Sequence, residues 1–200
     1  MSTKQEPEIL STEELKTEAK WLKMERIKWK DEEGKERVWE TANRTTRKGI
    51  VDSVHILALL HHPNKPVSTV IIEQYRPPAG KTVVELPAGL VDEGEDSATA
   101  ALRELHEETG YGSGKADHGD VTVDPGMTGA NMQLVTINVN LGKNDPEPQQ
   151  KLDEGEHIVK RVIPLQDLSA VLSDYDKRGF AIDALLACIA QGWQLARQFS

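Results

Sequence analysis

Between Gly89 and Tyr111 the chain reads GLVDEGEDSATAALRELHEETGY, which fits G-x5-E-x7-R-E-U-x-E-E-x-G-U, where U is a bulky apolar residue. Gly89, Glu95, Arg103, Glu104, Leu105, Glu107, Glu108, Gly110 and Tyr111 occupy the defined positions. At average residue usage such a match arises by chance on the order of once in ten million chains of this length. No other stretch narrows the fold and the chemistry as far.

The local physics of this stretch predicts a helix of about thirteen residues. Asp96 or Ser97 supplies an N-cap, and Gly110 suits a left-handed C-terminal stop. Ala98, Ala101, Leu102, Leu105 and Thr109 recur at helical spacing as a burying stripe. Glu104, Glu107 and Glu108 stand at i, i+3 and i+4, so three carboxylates share a face. Taken alone, such a trio is most often a solvated acidic surface. With the glycines, Glu95 and Arg103 in register, it reads as a set of hard oxygen ligands for Mg2+ or Mn2+, ions that neutralise a diphosphate and activate water.

Two hundred residues can bury one good core. The expected division is a β-rich N-terminal region over residues 1–50 and a catalytic domain over residues 51–200. The net charge of −9 disfavours nucleic acid or an anionic membrane as the main partner. A small anionic substrate must then be held by local cations and metal. Cys188, the only cysteine, has no partner for an internal disulfide and is expected in the core. No apolar run reaches the roughly 18 residues of a membrane span. The acidic start MSTKQEPEILSTEE does not resemble a signal or transit peptide. The expected location is the cytoplasm, with nuclear access.

Residues 1–12 are polar and expected to be loose. WLKMERIKW from Trp21, a DEEG turn and ERVWETANRTT predict a hairpin, which is marginal alone and calls for packing or dimerisation. Trp21, Trp29 and Trp39 lie there. They read either as buried anchors or as platforms for a nucleobase. Arg44 and Arg47 follow and read as phosphate forks or as solvated side chains. VDSVHILALL and STVIIEQY predict strands joined by HHPNKP, where His61 and His62 are expected to face solvent. After Tyr75-Arg76-Pro77-Pro78, one strand is expected to run through KTVVELPAGL into the carboxylate stretch, and Arg76 and Glu85 either pair or point into the site. Beyond it come a short strand, a DPG turn and a longer strand within VTVDPGMTGANMQLVTINVNL. Residues 142–153 are proline-rich and read as a mobile loop, Glu154 and Glu156 precede a strand at HIVKRVI, and two helices end the chain with Trp193 packed.

The carboxylate stretch matches the Nudix box without a departure, so the chain resembles the Nudix hydrolases. The flanking W-L-K-M, R-V-W-E-T, R-T-T-R-K, Y-R-P-P, E-L-P-A-G-L, V-D-P-G-M and E-G-E segments are similar to the ADP-ribose pyrophosphatase branch, especially the eukaryotic ADP-sugar pyrophosphatases. The resemblance implies an α/β fold, the Nudix α/β/α sandwich with a mixed sheet, preceded by a small β-rich dimerisation region. It also implies a homodimer in which Trp21 and Trp39 sandwich the adenine, one of them supplied by the partner subunit. Glu40, Arg44, Arg76, Leu90 and Asp124 help hold the rest of the substrate. The Ala88 carbonyl, Glu104 and Glu108 ligate metal, and Glu107 is the remaining box carboxylate available to it. Glu156 serves as general base or further ligand, while some branches give the base to the residue at Glu104. Arg103 orients the box carboxylates through Glu107.

The reaction so implied is attack of metal-activated water on one phosphorus of ADP-ribose, with two or three Mg2+ or Mn2+ ions, releasing AMP and ribose 5-phosphate. The rivals are a housecleaning hydrolase of oxidised nucleoside diphosphates or other nucleotide sugars, and a noncatalytic ADP-ribose sensor. The intact box argues against the sensor, and the acidic balance argues against removal of RNA caps.

Overall fold

A computed structural model describes residues 6–112 and 114–199 of the chain. The chain forms two compact units, Met1–Asp52 with Asp120–Met132, and Ser53–Gly119 with Gln133–Ser200.

The first unit is built on an antiparallel sheet of β1 (Glu8–Leu15), β2 (Leu22–Lys30) and β3 (Glu36–Arg44). The expected hairpin forms in register, with Trp29 opposite Arg37 and Ile27 opposite Trp39. Asp31 shapes its turn by accepting from the backbone N–H groups of Glu33 and Lys35, and Gly34 takes φ +78°. The expectation of a loose segment over residues 1–12 is corrected for Glu8 onward, because Glu8–Leu15 adds a third strand to β2. Residues 1–5 lie outside the described residues. A third strand removes the marginality of a lone hairpin by hydrogen-bonding the outer edge of β2.

In the second unit the sheet order is β11-β6-β5-β4-β9-β8, with β10 also paired to β5 and β7 to β4. The strands are β4 (Ser53–His61), β5 (Ser68–Arg76), β6 (Lys81–Glu85), β7 (Ala88–Leu90), β8 (Lys115–Thr122), β9 (Asn131–Asn140), β10 (Ile158–Pro164) and β11 (Ala181–Ile182). The helices are α1 (Ser97–Thr109), α2 (Leu168–Lys177) and α3 (Ala184–Gln198). Parallel pairing of β11 with β6 among antiparallel neighbours makes the sheet mixed.

Alternation along β4 sets the layers. Val54, Ile56, Ala58 and Leu60 pack with Ala100, Ala101 and Leu105 of α1. Leu57 and Leu59 face the other way, towards Leu168 and Leu172 of α2 and Leu186 and Ala190 of α3. The result is the expected α/β/α sandwich, with one apolar core on each side of the sheet.

The predicted helix is α1, which runs for 13 residues. The Asp96 carboxylate accepts from Thr99 N–H, and Gly110 closes the helix at φ +82°. Asp96→Ala should lower unfolding stability by about 1 kcal/mol, through loss of the cap. Urea titration measures it, and an unchanged midpoint would refute it.

Four expectations need correction. The strand through KTVVELPAGL is two, β6 and β7, because Leu86 turns into a core while the Pro87 carbonyl accepts from Ile56 N–H at 2.8 Å. Cys188 is exposed. It lies two positions from both Leu186 and Ala190, the buried line of α3, and so faces away from the core. Trp193 is 43% exposed although it follows Leu186 by seven residues and so shares the face of Leu186 and Ala190, in the last turns of α3 where no described residue is buried. His61 belongs to the end of β4 and bonds Asn138 at 2.8 Å, so it is not a free loop side chain.

Candidate active site

Within the second unit, α1 and β7 bring the carboxylates together. Glu108 is 4% exposed, and its carboxylate accepts from Ala88 N–H at 3.0 Å. Only two of the three helix carboxylates are therefore partly open, since Glu108 lies on the buried line of Ala101, Leu105 and Thr109. Burial pushes the Glu108 carboxyl up to about 8, opposed by the Ala88 N–H and reinforced by the negative charges of Glu104, Glu156 and Glu85. Burial also raises Glu104, against the pull of Arg103 and with the help of Glu107 and Glu156. Glu156, far along the chain, thus acts on both glutamates through its field.

Arg103 is the hub of this face. Its Nε and Nη2 donate to the Glu95 carboxylate at 3.1 and 2.9 Å. Nη1 donates to Glu104 at 2.8 Å and Glu107 at 3.2 Å. Nη2 reaches the Leu90 carbonyl at 3.0 Å. The guanidinium is fully engaged with carboxylates and β7, and its contact with Glu107 is the one that i,i+4 spacing predicts. The hydrogen bonds from Arg103 hold Glu95 below the usual carboxylate range, so Glu95 is a permanent anchor.

Among the described residues no three His, Cys, Asp or Glu side chains already form a closed metal-ligand set. Glu104 is turned to Arg103, and Glu108 to Ala88 N–H. The donor chemistry nonetheless fits a hard divalent cation. Two buried carboxyls raise each other's affinity for a positive charge, and the oxygens are of the kind that Mg2+ prefers. Gly89 adds a cradle, because a β-carbon built there falls on the Glu104 carboxylate.

Arg76 and Glu85 resolve the two readings left open for them. Arg76 Nε donates to Glu85 at 2.8 Å, and with its side chain 41% exposed the rest of the guanidinium is available. Glu85 is raised by burial, against Arg76. Glu156 sits in a tight turn from Asp153, with Gly155 at φ +89° and its own carboxylate accepting from Asp153 N–H at 3.1 Å. Glu154, its neighbour, is exposed.

Within the first unit, Trp21 is 60% and Trp39 49% exposed, an unusual amount of indole surface left to solvent. Trp39 Nε1 donates to the Gly126 carbonyl at 3.0 Å, which holds the edge of the half-exposed ring. Glu40 pairs with Arg26 at 2.9 Å, and Arg44 is exposed at the end of β3. Asp124 organises the turn beneath Trp39, accepting from Gly126 N–H at 3.2 Å. Arg47 does not stand free as a phosphate fork. It donates to the carbonyls of Gly49, Gly129 and Ile50 and pairs with Asp52 at 3.3 Å.

Two groups escaped the sequence reading. Gln150 and Lys160 bond the C-terminal carbonyls of α1, and residues 142–153, though without helix or strand, are tied down there. A glutamine in a proline-rich run carries no sequence signal for that contact. A separate cleft of about 690 Å3, lined by Lys65, Tyr111, Lys143 and Lys160, excludes the box carboxylates.

The NUDIX domain profile matches residues 52–183. Over 188 residues the chain is 40% identical to the ADP-ribose pyrophosphatase of Saccharomyces cerevisiae, spanning 92% of this chain and 81% of that protein. It is 38% identical to the ADP-sugar pyrophosphatase of Mus musculus over 165 residues, 80% of this chain and 75% of that one. An uncharacterized Nudix hydrolase of Schizosaccharomyces pombe is 43% identical over 196 residues, 96% and 95% of the two chains. Among solved structures, the fold is similar to that of an ADP compounds hydrolase, with TM-score 0.65, 20% identity and 98% coverage of both chains. No helix among the described residues is long and apolar enough to cross a membrane.

Proposed function

The chain belongs to the Nudix family of hydrolases, and from that premise we propose that it hydrolyses the diphosphate of ADP-ribose and related ADP-sugars to AMP and ribose 5-phosphate. One observation carries the reading: the full box stands in a chain 40% identical, over 92% of its length, to an ADP-ribose pyrophosphatase.

Ala88, through its carbonyl, and Glu104, Glu107, Glu108 and Glu156 are the residues that would hold Mg2+ or Mn2+. Such ions, two or three when bound, supply neutralisation of the diphosphate and a lowered pKa for attacking water. Glu156 accepts the water proton, with Glu104 as the other candidate base. The water oxygen bonds to one phosphorus, the bridging P–O bond breaks, and the bridging oxygen leaves with the second phosphate. Arg103 keeps Glu104 and Glu107 aimed. Arg76 offers its free guanidinium edge to a phosphate, and Leu90, Glu40, Arg44 and Asp124 hold the remainder of the substrate.

Trp21 and Trp39 stack on adenine, one of them given by the partner subunit of a homodimer. Support for the dimer comes from the apolar side chains that the N-terminal sheet exposes, among them Ile9, Leu22 and Val38 at 67%, 48% and 57%. The proposed place of action is the cytoplasm.

The deciding assay follows Mg2+-dependent release of AMP from ADP-ribose beside ADP-glucose, NADH and an 8-oxo-guanosine diphosphate. ADP-ribose should show the highest kcat/KM. Trp39→Ala should raise its KM roughly 5- to 150-fold, the equivalent of about 1 to 3 kcal/mol of lost stacking. A higher kcat/KM for the oxidised nucleotide would transfer the assignment to a housecleaning hydrolase. Tight binding of ADP-ribose with no turnover would make the protein a sensor.

A further inference from the structure

The last carbonyls of an α-helix lack partners within the helix and must find them elsewhere. At the end of α1 three successive carbonyls are met by one neighbouring segment and one strand. Lys151 N–H donates to the Glu107 carbonyl at 2.7 Å, and Gln150 Nε2 donates to the Glu108 carbonyl at 2.7 Å. The Lys160 ammonium donates to the Thr109 carbonyl at 3.0 Å and to the Pro148 carbonyl, its side chain only 10% exposed. The fit leaves no spare room, because a β-carbon at Gly110 would overlap the Gln149 carbonyl.

Gln150 differs from an ordinary helix cap. Its amide carries two N–H groups, and the amide nitrogen also reaches the Ile158 carbonyl at 3.1 Å. Ile158 is buried and opens β10, two residues after Glu156. One amide therefore spans the helix that carries Glu104 and Glu108 and the strand start that carries Glu156.

We infer that Gln150 is a positioning residue for the hydrolysis, its side-chain amide setting the separation between the α1 carboxylates and Glu156 by holding the Glu108 and Ile158 carbonyls together. Lys160 shares the load by anchoring the segment from Pro148 to the end of α1, where a cation also suits the helix dipole. The inference rests on the reading that α1 and Glu156 serve one metal-assisted site. It deepens that reading by making the 148–151 segment part of the machinery.

The test compares wild type with Gln150→Met, which keeps the length and loses both donors, and Gln150→Lys, which restores donors. Mn2+ binding is followed by electron paramagnetic resonance, and kcat and KM are measured separately with ADP-ribose. Gln150→Met should weaken Mn2+ binding and lower kcat by about 10- to 100-fold, the range found when groups that orient metal ligands are removed. KM should stay level, and Gln150→Lys should recover most of the loss. Unchanged Mn2+ affinity and kcat in Gln150→Met would overturn the inference. So would a joint collapse of kcat, KM and melting temperature that Gln150→Lys does not repair, since that marks a purely structural role. If Gln150→Met does not fold, Gln150→Asn, one methylene short, carries the same comparison. If wild type cleaves none of the substrates, the substrate reading fails, while the Mn2+ isotherms of the variants still decide whether Gln150 positions the site.

Discussion

Glu108→Gln should abolish hydrolysis, by more than about 100-fold, and at the same time raise the melting temperature of the metal-free protein. The activity loss follows from removing an anionic oxygen where groups that merely orient ligands already cost about 10- to 100-fold. The stability gain follows from linkage. Below the ordinary value of 4.5 the Glu108 carboxyl is protonated in both folded and unfolded chains. Between there and about 8 the unfolded chain gives up the proton while the folded one keeps it. Stability therefore falls as pH rises through that window, and levels off above it. Glutamine has no such titration, and its carbonyl can still accept from Ala88 N–H. The gain should be on the order of a few kcal/mol at pH 8.5 and nearly absent at pH 4.5. Thermal melts in EDTA at the two pH values measure it. Added Mg2+ should reverse the order, because only wild type gains the ion as a stabilising ligand. A variant that melts below wild type at pH 8.5 in EDTA would show that Glu108 is ionised and satisfied without metal.

Gly89→Ala should separate activity from stability in the other direction. The backbone at Gly89 is an ordinary strand position opposite Val54, so alanine brings no conformational strain. Its methyl would fall on the Glu104 carboxylate, the mobile end of a side chain that can swing aside at about 0.5 to 1.5 kcal/mol. A displaced Glu104 no longer shares a site with Glu108 and Glu156, and kcat should fall by at least about 100-fold. Gly49→Ala is the control, because an added methyl there meets nothing within 4 Å. Near-wild-type turnover in Gly89→Ala would mean that Glu104 works from another rotamer than the one bonded to Arg103.

Much of this was legible in the sequence because the information is local. The α1 boundaries follow from Asp96, a helical apolar stripe and Gly110, each a property of neighbouring residues. The apolar run in SVHILALLH predicts a strand, and β4 forms there. The Arg103 to Glu107 contact is a consequence of helical spacing. Where the reading failed, the cause was a partner distant in sequence. Cys188 sits in an apolar helix, yet which flank is buried depends on α2 packing against Leu186 and Ala190. Arg47, open to reading as a phosphate fork or a solvated side chain, is instead taken by the carbonyl of Gly129 and the carboxylate of Asp52.

The sequence by itself determined the family and the carboxylate helix, since both are written in residue types at fixed spacings. Tertiary structure alone decided that Glu108 is buried, with its carboxyl pushed up by that burial. It likewise decided that residues 120–132 join the N-terminal unit, and that Gln150 ties α1 to β10. Those outcomes depend on desolvation and on hydrogen bonds between segments about 40 or more residues apart, or on donors meeting the orphaned carbonyls of a helix end. No pattern of neighbours encodes a distance across the fold.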